Sequence, residues 1–151
     1  MKNRVIVVGA GAAGLMAAGT AARRGREVLL LEKNDRVGKK LLISGKGRCN
    51  ITNNTDIEGF IQNIPGNGNF LYSTFYTFSN EDLMEMLKTE GLELKVERGG
   101  RVFPVSDKAA DVVKVLQRYS EKNGAKIFLK SAVERIETGH GKVEGVVLKN
   151  G

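Results

Sequence analysis

Cysteine is almost absent from this chain. Of 151 residues only Cys49 is one, so no internal disulfide framework can form. Histidine is equally scarce, and His140 with Cys49 cannot build a zinc centre. No apolar run approaches the roughly 20 residues of a membrane span. There is no internal repeat, no low-complexity tract and no serine set in a nucleophile elbow. Met1-Lys2-Asn3-Arg4 leads directly into an apolar strand, which argues against a cleavable signal. These absences exclude the secreted, zinc-binding and membrane classes and point to the cytoplasm. What is present, 41% hydrophobic and 27% charged residues, fits a globular domain with one real core.

The first 32 residues organise the rest. Arg4-Val5-Ile6-Val7-Val8 is a β-branched run that enters Gly9-Ala10-Gly11-Ala12-Ala13-Gly14. An Ala-rich segment follows as far as Arg24, then Gly25, then Val28-Leu29-Leu30-Leu31 ending on Glu32. The order strand, tight turn, helix, strand, acid is that of a dinucleotide-binding βαβ unit. Gly9 permits the sharp turn, Gly11 lets backbone approach a pyrophosphate, and Gly14 lets the helix pack closely. The start of the helix offers N–H groups and a positive dipole end to phosphate. Glu32, at the tip of the second strand, can accept from ribose hydroxyls. Ala18 and Gly25 are read as keeping the helix slim. A Gly-rich turn without a ligand is the alternative.

Net charge is +7, and five of those charges (Arg36, Lys39, Lys40, Lys46, Arg48) lie between Arg36 and Thr55 without an acid, leaving +2 for the remainder. The stretch contains no aromatic for base stacking, so it favours the phosphates of a dinucleotide over nucleic acid. A solvated charge run is the plainer account. Lys33 to Thr55 shows neither helical nor strand periodicity and reads as a long functional loop. Gly45 and Gly47 around Lys46 suggest backbone lying against a flat ligand. Cys49, between Arg48 and Asn50, reads as a small packed side chain, although neighbouring cations would lower a thiol pKa.

Further on, Asp56 to Ile64 is predicted as a short helix stopped by Pro65-Gly66. Phe70, Tyr72, Phe75, Tyr76 and Phe78 are expected to pack a core face at helical spacing. Asn80 is the expected cap of a helix over Glu81–Thr89. Leu92 to Val96 and Arg101 to Phe103 form a hairpin around Gly99-Gly100. Ser106 or Asp107 caps a helix reaching Asn123, with Ala109, Val112, Val113, Leu116 and Tyr119 or Ser120 inward. Lys126 to Lys130 is a strand. Val133–Glu137 and Val143–Leu148 form a second hairpin with His140 at its tip.

One short pattern and two longer segments carry family resemblances. The Gly9-x-Gly11-x-x-Gly14-x-x-x-Ala18 pattern, with Gly25 and Glu32, resembles glutathione-reductase-like flavoproteins. Lys39-Lys40-Leu41-Leu42-Ile43-Ser44-Gly45-Lys46-Gly47-Arg48-Cys49-Asn50-Ile51-Thr52-Asn53 and Gly100-Arg101-Val102-Phe103-Pro104-Val105-Ser106-Asp107-Lys108-Ala109 are more specific. They resemble the bacterial BaiN/YhiN-like NAD(P)/FAD-dependent oxidoreductases, also called aminoacetone-oxidase-family proteins. The resemblance implies an α/β, Rossmann-like FAD-binding domain with a parallel sheet, a helix layer and a β-meander. FAD is the implied cofactor and NAD(P)H the implied electron donor. Gly9, Gly11 and Gly14 would hold the pyrophosphate and Glu32 the adenosine ribose, with Ala12, Ala13, Lys33 and Lys40 also among the cofactor-binding residues. Ser44, Gly45, Arg48, Cys49 and Asn50 would border the flavin, and the backbone of Val133 would meet adenine. No catalytic side chain is assigned. The substrate is expected to be a small molecule with an activated C=C bond, such as the 3-oxo bile acids that one member type is implied to reduce. The alternatives are a non-catalytic dinucleotide-binding module and a flavoprotein acting on tRNA. Family members are longer, so the chain is expected to be an N-terminal part without the substrate domain and later FAD motifs, weak in binding FAD alone and open to self-association through an uncovered face.

Overall fold

The computed structural model describes residues 4–149. The chain divides into two units, one formed by the segments up to Leu42 and from Val113 onward, the other by Ile43–Val112.

In the first unit, strand β1 (Arg4–Val8), helix α1 (Ala12–Arg23) and strand β2 (Glu27–Leu31) form the βαβ crossover. β1 and β2 are parallel, with Val5 opposite Val28 and Val7 opposite Leu30. Helix α2 spans Lys39–Ile43 at the junction of the two units. Much later in sequence, helix α6 (Ala109–Lys122) returns the chain, and strand β6 (Lys126–Phe128) pairs in parallel with β2. The sheet order is β1-β2-β6. Leu15, Ala18, Val28, Leu30, Leu116 and Tyr119 are buried in its core. The Ser120 hydroxyl donates to Leu15 O at 2.6 Å and ties α6 to α1. The glycine that keeps α1 slim there is Gly19, where a Cβ would meet the Tyr119 ring at 2.5 Å. Gly25 has open space around it and serves instead as the left-handed residue (φ +77°) closing the helix. A hairpin of β7 (Val133–Gly139) and β8 (Lys142–Leu148) ends the unit, with His140 at its turn.

The second unit is built differently. After a 3₁₀ turn at Ser44–Gly47 come β3 (Thr52–Asn53), α3 (Ile57–Asn63), a 3₁₀ turn at Gly68–Leu71, α4 (Tyr72–Thr77), α5 (Asn80–Thr89), β4 (Leu94–Glu97) and β5 (Arg101–Pro104). The antiparallel order is β3-β5-β4, a hairpin with a third strand added outside β5. The antiparallel strands expected as a meander thus come as this sheet and the separate β7–β8 hairpin. The stretch read as irregular from Lys33 to Thr55 contains α2, the 3₁₀ turn and β3. These pieces are too short to show periodicity.

Three local expectations change. Ser79, not Asn80, caps α5: it forms a capping box with Asp82. Asn80 is buried and donates to the Asn53 and Thr55 carbonyls. The aromatics do not pack a core face. Phe70 is 79% exposed and Tyr76 61%, while Phe75 stacks on Phe60 at 5.1 Å. Two or fewer turns of helix cannot turn all of them inward. Finally, Asp107 does not cap α6, since its carboxylate binds Arg48 and Lys95.

Candidate dinucleotide site

The site in the first unit is assembled by backbone. Gly9, at φ +95°, reverses the chain out of β1 and donates to Leu31 O at 2.7 Å. Ala10 is buried, and its carbonyl accepts from Gly38 N at 2.8 Å. Gly11 is the N-cap of α1 and offers no side-chain acceptor to the first turn. That turn contains no acid, so its orphan N–H groups keep their donor capacity and the positive end of the dipole is unquenched. No protein atom lies within 4 Å of where a Gly11 Cβ would stand, whereas a Cβ on Gly14 would sit 1.8 Å from Gly9 O. The two glycines therefore do different work. Gly11 leaves space for a ligand, and Gly14 leaves space for the protein's own turn.

Glu32 is only 7% exposed. Its carboxylate accepts from Ala10 N (2.7 Å), Asn34 N (2.8 Å) and Asn34 Nδ2 (2.6 Å). Burial pushes this carboxyl up, but the Asn34 and Ala10 donors, with the charge of Lys33, outweigh burial and leave it below its ordinary value. A carboxylate has about four lone-pair positions, so three donors leave about one for an incoming hydroxyl. The cleft beside it holds about 540 Å³ and is lined by Gly9, Gly11, Glu32, Lys33, Lys40 and Val133, together with Asn34, Lys39, Ser131, Ala132 and Lys149. Ala12 and Ala13 are exposed on the first turn of α1. Lys39 belongs to the basic stretch read from the sequence, whereas Asn34, Ser131, Ala132 and Lys149 are not expected from it. Only Asn34, a turn-former two places after the acid, carried a signal.

The remaining expected residues lie in the second unit. Four residues between Ser44 and Asn50 are left-handed, Gly45, Lys46, Gly47 and Cys49 with φ of 55°, 56°, 83° and 62°, while Arg48 among them is right-handed at φ −94°. For Lys46 and Cys49 the left-handed conformation costs roughly 1–2 kcal/mol per residue. A Cβ on Gly45 would meet Asn50 N at 2.9 Å. Cys49 is 1% exposed, and burial pushes its thiol up despite a hydrogen bond with Ser44. It is a packed residue, as expected of a lone free cysteine, in spite of its cationic neighbours in sequence. The Arg48 guanidinium binds Glu97 and Asp107 and lies over the Phe103 ring at 4.2 Å. Asn50 is exposed.

Among the described residues no group of acids, histidine and cysteine could hold a metal ion, and no helix is long and apolar enough to cross a membrane. The chain is 34% identical over 138 residues to a 3-dehydro-bile acid delta(4,6)-reductase of Clostridium scindens, covering 89% of this chain and 33% of that protein. It is 32% identical over 132 residues to a ribosomal RNA dihydrouridine synthase of Haemophilus influenzae, covering 87% and 32%. It spans about a third of the length of these curated relatives. A 3-ketosteroid-delta4-(5alpha)-dehydrogenase from Rhodococcus jostii RHA1 shares the fold, with a TM-score of 0.71 at 20% identity over 95% of this chain and 41% of that one. The family model for the HI0933-like protein Rossmann domain matches residues 3–151, and the chain, with its βαβ turn and buried strand-end acid, belongs to that family.

Proposed function

We propose that this chain is the FAD-binding portion of a flavin-dependent oxidoreductase that passes hydride from NAD(P)H to a carbon–carbon double bond conjugated to a carbonyl. One observation carries the cofactor reading: an uncapped, acid-free helix start, an open Gly11 and a buried carboxylate with about one free acceptor position face one cleft. In this reading the turn from Gly9 to Gly14 takes the pyrophosphate. Glu32 takes a ribose hydroxyl, Lys33 and Lys40 add positive charge, and the Val133 backbone meets adenine. The Ser44–Asn50 loop is assigned to the flavin by the family resemblance. FAD, when bound, supplies the hydride chemistry, and the protein supplies position and electrostatics.

The bond type rests on the names of two relatives. A delta(4,6)-reductase of a 3-dehydro bile acid and a dihydrouridine synthase both imply saturation of a C=C bond conjugated to a carbonyl. We favour a small-molecule substrate in the cytoplasm. The name of the second relative and the +7 charge support a uracil ring in RNA as the second reading. A binding module without turnover is the third.

Purification with and without added FAD, followed by NADH and NADPH oxidation assays on a steroid enone and on unmodified rRNA, separates the three. Bound flavin and oxidation driven by the enone support the first. Turnover on rRNA alone moves the substrate to the second. Neither flavin nor ADP binding in calorimetry overturns the cofactor site.

A further inference from the structure

The two segments that carry the family resemblance fold onto each other within the Ile43–Val112 unit. Ile51 N donates to Val102 O, Asn54 N to Gly100 O and Asn53 Nδ2 to Gly99 O. One charged contact completes this seam. Arg48 Nε donates to Asp107 Oδ1 at 2.8 Å, Arg48 Nη2 lies 2.7 Å from the same oxygen, and Nη2 also donates to Glu97. Lys95 Nζ takes the other Asp107 oxygen at 2.6 Å.

We propose that Arg48 is the positioning residue of the Ser44–Asn50 loop rather than a phosphate ligand: Glu97 and Asp107 grip its guanidinium and so hold Lys46 and Cys49 at positive φ. Three observations converge on this role. The fork already has two carboxylate partners from different parts of the chain, β4 and the turn before α6, and its face is covered by Phe103. Arg48 and Lys95 against Glu97 and Asp107 sum to no net charge, so a phosphate reaching the guanidinium meets two carboxylates at the same moment. Lys46 and Cys49, on either side of Arg48, occupy a conformation that non-glycine residues leave unless surrounding structure enforces it. The pinned side chain between them, and the Ile51 ladder bond beyond, provide that enforcement.

The lone thiol reports on the clamp directly. Cys49 is buried in the folded loop, so its reaction with 5,5′-dithiobis(2-nitrobenzoate) requires the loop to open. Arg48→Gln and Asp107→Asn are each expected to speed that reaction at least tenfold, with circular dichroism unchanged. The Arg48→Gln/Asp107→Asn double variant should be no faster than the faster single, because both remove one clamp. In Arg48→Gln, removing a cation would by itself disfavour the thiolate and slow the reaction, so acceleration in that variant reads opening. Arg48→Lys keeps charge without the fork and should fall between, which also decides the matter if Arg48→Gln does not fold. Unchanged thiol rates in the single variants, or rates that multiply in the double, overturn the proposal.

The effect on cofactor rests on the flavin reading above. FAD affinity should fall in the same variants while its salt dependence keeps the wild-type slope. A flattened slope in Arg48→Gln with an unchanged thiol rate makes Arg48 a direct phosphate ligand. If no variant or wild type binds FAD, the flavin reading fails and the thiol rates still decide the clamp.

Discussion

Two of the glycine-rich turns in this chain spend their polar groups in opposite ways. The turn from Gly9 to Gly14 satisfies its carbonyls and inner amides internally, through Leu31, Gly38 and Glu32, yet leaves the first turn of α1 without a cap. The turn from Ser44 to Asn50 looks more chemically active in sequence, with a lysine, an arginine and a cysteine in seven residues. In the fold its arginine is paired and its cysteine buried. The first is poor in functional side chains and has donors to offer. The second is rich in them and has committed them. A ligand site is read from what remains unsatisfied, not from how many reactive residues are gathered.

The comparison breaks most visibly at Gly14. Gly14→Ala places a methyl against Gly9 O and should cost roughly 1–3 kcal/mol or more by overpacking. A thermal melt should show a drop of several degrees, and an unchanged Tm would mean the turn is not the tight one described. Gly11→Val tests the opposite property. The position has φ −80° and open space, so only the cap preference, about 1 kcal/mol, is lost. ADP affinity, however, should fall at least 100-fold, about 2.7 kcal/mol. Full retention of ADP binding in calorimetry would remove the pyrophosphate from this turn.

Glu32→Ala should weaken ADP about ten- to 100-fold, through a charged hydrogen bond of roughly 1.5–3 kcal/mol and the loosened Ala10 amide. Equal affinities for wild type and variant would show that no ribose reaches the acid. In the second turn, acid should loosen what substitution loosens. Lys95 and Arg48 hold the Asp107 carboxyl below its usual range, and Arg48 does the same for Glu97. Depressed carboxylates stabilise the fold above their unfolded values and lose that contribution as pH falls through the folded ones. The Tm difference between wild type and Asp107→Asn should therefore be present at neutral pH and shrink on acidification, and a difference that grows toward low pH would contradict the pairing. The smallest effect belongs to Cys49→Ser, which should leave FAD affinity within about twofold, since the thiol is packed and its burial opposes ionisation. A tenfold loss would give the sulfur a role at the ligand.

What the sequence made legible was whatever repeats with a short period or depends on one neighbour. The β1–α1–β2 order, the turn glycines, Glu32 and both hairpins belong to that class, as does the inward stripe of α6 from Ala109 to Ser120. What stayed hidden depends on partners far along the chain. Gly19 was passed over because its reason is Tyr119. Asn80 looked like a cap because nothing local reveals that Asn53 and Thr55 need its amide. Arg48 looked free because Glu97 and Asp107 stand 49 and 59 residues away. Within the site, the acid was visible and the donors that occupy it were not.

The parallel strand β6 joins β2 only after the whole Ile43–Val112 segment has intervened. During synthesis, Gly9 to Glu32 therefore leaves the ribosome without the strand that receives Glu32 N at Phe128 O, and without the Ser131 amide that donates to its carbonyl. The unit holding the Gly9–Glu32 cleft needs the segment from Val113 onward to close, whereas the contiguous unit has all its residues earlier. Closing so long a loop adds an entropic cost that grows slowly with length but delays the contacts that offset it. The segment that announces the fold in sequence is thus completed by β6 and the Ser131 amide, which lie beyond the contiguous unit in the chain.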